Sequence, residues 1–189
     1  MESMLVALPR VRATAGFAER RVADDDAYLE PGDSAFYALT DFRRVSPVAV
    51  EADASIDAAL ADMNRLGVHA LLVVKQVSHE EDSQIIGLIT KYDIERERPH
   101  RYDKTSVFIK PRHASVGDVM TPSEELSLVR FESLQTLAAI EAYEMFQGTG
   151  LTHLLVIETQ GDDLFVARGL LSRATLARRL RRTHTISSG

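Results

Sequence analysis

Gly67-Val68-His69-Ala70-Leu71-Leu72-Val73 is followed, about 80 residues later, by Gly150-Leu151-Thr152-His153-Leu154-Leu155-Val156. A second pair also lies about 80 residues apart: Gly87-Leu88-Ile89-Thr90 and Gly169-Leu170-Leu171-Ser172. Two anchors in one register mean an internal duplication, with a period too long for a solenoid. What surrounds the anchors defines the repeated unit.

In the first copy, Pro47 to Val50 reads as a short strand, and an oxygen-bearing side chain among Asp53-Ala54-Ser55 can cap a helix. Ile56, Ala59, Leu60, Met63 and Leu66 then recur at helical spacing, and Gly67 is a natural stop. Ala70 to Val74 and Ile85 to Ile89 are continuous apolar runs that suit strands covered on both faces, joined by a polar loop from Lys75 to Gln84. Thr90 to Asp93 opens a charged helix that Pro99 is expected to terminate. The second copy repeats the order. Leu126 to Val129 is a strand; Ser133 opens a single helix carrying Leu134, Leu137, Ala138 and Ala142, punctuated by Gly148 and Gly150; Leu154 to Ile157 and Phe165 to Leu171 are paired strands around the turn Gln160 to Asp163; Ser172 to Leu180 is the closing helix. The fold class expected is α/β, two tandem β-α-β-β-α repeats. The expected boundaries are an N-terminal extension 1–40, repeats at 41–98 and 115–181, a linker 99–114 and a tail 182–189. One such repeat is near the lower size limit for a stable core, so the two are expected to pack together. Within the extension, a short helix is expected near Ser34 to Asp41.

Composition narrows the function. The 189 residues are 45% hydrophobic and 26% charged, enough apolar surface for a core. There is no cysteine, which removes disulfides, thiolate metal sites and cysteine nucleophiles. A formal net charge of −6 argues against a general nucleic-acid or membrane-surface binder. The apolar start Met4 to Leu8 is too short for a signal-peptide core, and no run approaches the roughly 20 apolar residues of a membrane span. A cytoplasmic protein is expected.

Gly87-Leu88-Ile89-Thr90-Lys91-Tyr92-Asp93 and the domain-opening run Asp118-Val119-Met120-Thr121-Pro122, in register within a duplicated chain, resemble a pair of cystathionine-β-synthase-type (CBS) domains, the arrangement called a Bateman module. The resemblance covers roughly residues 40 to 181. It implies two pseudo-symmetric repeats with clefts between them, an adenosine-containing ligand such as AMP, ADP, ATP or S-adenosylmethionine, and a homodimer. No further cofactor is implied.

Thr90 stands where a strand ends and a helix begins, so unpaired helical N–H groups and the positive end of the dipole favour an anion there. Asp93, one turn on, is an acceptor suited to a ribose diol. By the resemblance, Thr90 and Lys91 lie at the phosphate and ribose, Asp93 at the ribose hydroxyls, and His69, beside Ala70, at a basic phosphate contact. The backbone of Arg43, Arg44, Val45 and Ser46 would read the adenine edge. The same Thr-x-x-Asp spacing is also a helix capping box, which explains both residues without a ligand. A second, weaker site would comprise Thr121, Thr152, His153, Ser172 and Thr175. There Thr175 replaces the Asp, and a hydroxyl cannot accept two ribose hydrogen bonds as a carboxylate does. In the first repeat, Phe42-Arg43 is read as replacing Met120-Thr121.

Other features have plainer readings. His79-Glu80-Glu81-Asp82 is a solvated loop, not a metal cluster, and His153 a half-buried hydrogen-bonded residue. Arg178, Arg179, Arg181 and Arg182 complement a helix C-terminus. No nucleophile elbow, phosphate-binding loop or dinucleotide fingerprint is present, so an enzyme is not expected. The expectation is a regulatory module that senses an adenine nucleotide and acts on a partner protein or through its oligomeric state. The alternatives are a CBS-fold scaffold that binds no nucleotide and, less favoured, a nucleic-acid binder through the arginine-rich end.

Overall fold

A computed structural model describes residues 11–13, 27–76, 83–100, 114–160 and 164–180. The chain divides into two compact units, Met1–Ala15 with Pro47–Leu126 and Gly16–Ser46 with Ser127–Gly189. The first carries the expected strand, helix, strand, strand, helix order, and the second carries it with its first helix divided in two.

In the first unit, β3 (Ala49–Glu51) runs parallel to β4 (Ala70–Gln76), joined by helix α1 (Ile56–Leu66). β4 pairs antiparallel with β5 (Ser83–Thr90), which leads into α2 (Lys91–His100). The other edge of β5 takes β1 (Val11–Ala13) and β6 (Thr121–Pro122). α1 forms where its caps dictate: Ser55 Oγ accepts from the Ala58 amide at 3.1 Å, and Gly67 adopts φ 66°, open to glycine at little cost. Its buried face is Ile56, Ala59 and Met63, packed with Leu71, Val73, Ile89 and Ile94. Leu66, expected on that face, is exposed at the helix end. α2 passes through Pro99 and stops one residue later. The expected terminator therefore lies inside the last turn of the helix.

In the second unit, β7 (Leu128–Arg130) runs parallel to β8 (His153–Gln160), which pairs antiparallel with β9 (Leu164–Ser172) before α5 (Arg173–Leu180). The other edge of β9 takes β2 (Leu39–Asp41). The single helix expected from Ser133 is instead two short ones, α3 (Phe131–Thr136) and α4 (Ala139–Glu144), with Leu137 and Ala138 extended between them. The break has a partner. Asp33 and Pro31 carbonyls accept the Ala139 and Ile140 amides at 2.7 and 3.1 Å, Leu137 O accepts from Ala35 N–H, and Ser34 Oγ donates to Gln135 O at 2.8 Å. Glu141 caps the new start by accepting from the Ala138 amide. Helix ends need such partners, and residues 31–35 supply them.

Residues 27–41 are therefore structural members of the second unit, not an appendage outside both repeats. Leu29, Ala35, Ala38 and Leu39 are buried among Leu134, Phe146, Leu154, Leu171 and Leu176. The helix expected near Ser34 to Asp41 is one tight turn, Ala35–Ala38, followed by β2. Arg179 holds the segment down. It is buried, its Nε donates to Ala27 O at 2.7 Å, and its Nη1 donates to Tyr37 O. Burial overturns the reading of Arg179 as a mere dipole complement.

The compact units also cross the repeat boundaries. The segment leading into the first repeat pairs with the second repeat's strand, Thr40 opposite Leu170 and Asp41 opposite Gly169. The segment leading into the second repeat pairs with the first repeat's strand, Thr121 opposite Leu88 and Pro122 opposite Gly87. The anchor glycines allow this approach. A Cβ on Gly87 would lie 2.7 Å from Thr121 O, and one on Gly169 would meet Thr40 O and Leu39 Cδ1. This register aligns Leu39-Thr40-Asp41 with Met120-Thr121-Pro122 and corrects the assignment of Phe42-Arg43 to that place. Pairing across the chain, invisible to local pattern, sets the alignment. Among the described residues, no helix is long and apolar enough to cross a membrane.

Candidate functional site

The end of β5 determines the first candidate site. Ala70 pairs with Thr90, which places the His69 carbonyl over the start of α2, where it accepts from Lys91 N–H at 2.9 Å. Thr90 is buried at 5% exposure. Its amide and hydroxyl both donate to Asp93 Oδ2, at 2.8 and 2.6 Å, and its Oγ1 accepts from the Asp93 amide at 3.2 Å. This is the reciprocal capping box anticipated as the ligand-free explanation. It does not exhaust Asp93. Both bonds to the carboxylate fall on Oδ2, and among the described residues Oδ1 makes none, so the carboxylate keeps acceptor capacity at a half-buried position. The His69 side chain is exposed, and Lys91 Nζ donates to Asn64 Oδ1 on α1 at 3.1 Å.

The same construction at the end of β9 is looser. His153 pairs with Ser172, and Thr152 O accepts from Arg173 N–H at 3.0 Å, as His69 O does from Lys91. Ser172 Oγ accepts from the Thr175 amide at only 3.5 Å, and no carboxylate stands at that turn. Thr152 Oγ1 lies 3.0 Å from His153 Nδ1, and His153 is half-buried.

Units and repeats group the candidates differently. Thr90, Asp93, His69, Ala70, Lys91 and Thr121 belong to the first unit. Arg43, Arg44, Val45, Ser46, Thr152, His153, Ser172 and Thr175 belong to the second. Arg43 to Val45 form a turn in which Asp41 Oδ1 accepts from Arg43 N–H at 2.8 Å and Asp41 O accepts from the Arg44 and Val45 amides. The Arg43 guanidinium donates to Glu158 Oε2 at 2.6 Å. The loop His79 to Asp82 and the arginines 181 and 182 lie outside the described residues. Among the described residues, no three His, Asp or Glu side chains gather as metal ligands.

One polar group went unremarked in the sequence. Arg168 is buried on β9, bonded to Asp41, 3.6 Å from Glu158 through Nε, with its guanidinium 4.5 Å from the Phe131 ring centre. Desolvation pulls its pKa below the ordinary arginine value. The signal was an arginine inside the otherwise apolar run Phe165 to Leu171.

Comparison with known proteins adds the following. The family model of the CBS domain matches residues 27–100. No curated protein matches the chain in sequence. Among solved structures, a CBS-domain-containing protein from Agrobacterium tumefaciens is similar with TM-score 0.55 at 15% identity, over 78% of this chain and 93% of that one. A putative signal-transduction protein with CBS domains from Burkholderia ambifaria gives 0.52 at 19%, over 76% and 89%. The CBS domain of a bacterial CNNM/CorC family Mg2+ transporter, solved in complex with ATP, gives 0.50 at 15%, over 79% and 88%.

Proposed function

We propose, from the match of residues 27–100 to the CBS-domain family model and the fold shared with CBS-domain structures, that the chain is a regulatory module binding an adenosine-containing ligand at Thr90 and Asp93. The observation that carries this reading is the Asp93 Oδ1, which takes no hydrogen bond among the described residues, at a strand-to-helix junction whose threonine is already oriented. A ribose diol can donate to that oxygen without dismantling the cap. The ATP complex of the structurally similar transporter domain supports an adenine nucleotide as the ligand class. AMP, ADP and S-adenosylmethionine share the ribose that Asp93 would hold. His69 and Lys91 are the neighbouring basic side chains for a phosphate, and Thr121 sits on the strand beside Leu88. Ser172, Thr175, Thr152 and His153 would form a weaker second site.

Binding regulates only if the ligand prefers one conformation, and the output then passes to a partner protein or through a homodimer. The role proposed is cytoplasmic and non-catalytic. A second reading, a scaffold that binds no nucleotide, is favoured by the completed capping box itself, since Asp93 already has a structural task.

Isothermal titration of the wild-type chain and Asp93→Ala with ATP and AMP decides between them. Loss of charge-assisted hydrogen bonds worth about 1.5–3 kcal/mol predicts roughly 10–100-fold weaker binding. Equal affinity would remove Asp93 from the site, and no binding by either protein would leave the scaffold.

A further inference from the structure

The two leading segments are alike. Leu39-Thr40-Asp41 and Met120-Thr121-Pro122 each lay an apolar-Thr-x strand against a Gly-Leu-apolar partner, and each joins the other repeat's strand. Backbone pairing alone would accept either arrangement. The side chains at matching register differ. β5 and β9 both carry a bulge just before the anchor glycine: Val73 pairs with Gly87 and Val74 with Ile85, leaving Ile86 over, while Val156 pairs with Gly169 and Ile157 with Ala167, leaving Arg168 over. Opposite the glycines stand Pro122 in the first unit and Asp41 in the second. Where the second unit has Glu158 and Phe131, the same positions of the first hold Lys75 and Ala52.

We infer that the buried Asp41–Arg168 pair, backed by Glu158, selects which strand each leading segment joins. In the observed arrangement Asp41 meets Arg168, whose Nε faces Glu158 at 3.6 Å, and Pro122 lies beside Ile86. Exchanging the segments would set the Asp41 carboxylate against Ile86 and leave the buried Arg168 beside a proline. A buried ion pair adds little to stability compared with an apolar pair of the same shape, but a buried charge that has lost its partner is strongly disfavoured. The pair therefore acts on the difference between arrangements more than on the stability of either.

Nuclear magnetic resonance on the full chain tests this. Phe42 N–H donates to Arg168 O, so the preceding pair, Asp41–Gly169, is of the non-hydrogen-bonded kind, whose α-protons lie close. Wild type should show α-proton contacts 41–169 and 122–87 only. In the double variant Asp41→Pro with Arg168→Ile, which gives the two bulges and the residues opposite their glycines the same chemistry, a second set, 41–87 and 122–169, should appear. Asp41→Asn, which keeps the shape and removes the charge, should show the second set more weakly. A single native set in whichever variant folds overturns the inference. Unfolding of both overturns it equally, because the pair is assigned the choice of partner and not the stability of the unit.

Discussion

The two units execute one plan with different chemistry. In the first, helix α1 is continuous, its junction at Thr90 is closed by a carboxylate, and the bulge beside its anchor glycine is filled by isoleucine. In the second, the equivalent helix is broken in two, the junction at Ser172 has only a long hydroxyl contact, and the bulge holds a buried arginine. Polar capacity has moved from the junction to the core. A duplicated fold can thus keep its backbone while one copy places a carboxylate at its strand-to-helix junction and the other places its charges inside the core.

The largest test of this contrast is steric. Gly87→Ala and Gly169→Ala should each destabilise by about 1–3 kcal/mol through overpacking, read as a fall in the midpoint of thermal unfolding. The second should cost more. Besides a backbone oxygen, a Cβ on Gly169 meets Leu39, whereas one on Gly87 meets the thioether of Met120, which can move aside. Equal falls would mean the two crossings are not as different as their neighbours suggest.

Arg179→Met comes next. It leaves the Ala27 and Tyr37 carbonyls without their donor, and a loss of about 2 kcal/mol is expected. Hydrogen exchange should locate it: the Leu29 amide, which donates to Arg179 O, should lose protection before the amides of β4 do. Uniform loss would show that residues 27–41 are not a separable attachment.

The smallest effect compares the junctions. Thr90→Ala removes a cap and should cost about 1 kcal/mol, while Ser172→Ala, removing a 3.5 Å contact, should cost a few tenths at most. Chemical denaturation of the two single variants resolves the difference.

What was legible in the sequence was what local spacing controls. Helix α1 with its serine cap and left-handed glycine, and the paired strands, follow from patterns within some 20 residues, and the repeat follows from finding those patterns twice. The break at Leu137–Ala138 was not legible, because the groups that stabilise it, Pro31 to Ala35, are about 100 residues away. The correspondence of Leu39-Thr40, and not Phe42-Arg43, with Met120-Thr121 is illegible for the same reason: pairing with Leu170 and Gly169 sets that register, and no neighbour in sequence reports it. At the candidate site, Thr90 and Asp93 were legible in both their roles. The capping geometry is visible in the structure, and ligand binding is a matter for experiment.

That experiment is thermal unfolding of wild type, Asp93→Asn and Ser172→Ala, each with AMP, ADP, ATP and S-adenosylmethionine. Asparagine retains a carbonyl oxygen for the Thr90 donors but lacks the second carboxylate oxygen, so each variant is judged against its own ligand-free midpoint. A ligand at 100 times its dissociation constant stabilises by about 2.7 kcal/mol, a rise of roughly 5–10 °C for a chain of this size. The account predicts that rise in wild type and in Ser172→Ala with at least one of the four ligands, and its loss in Asp93→Asn. Flat curves in all three proteins, or a rise that survives Asp93→Asn and disappears in Ser172→Ala, would contradict it.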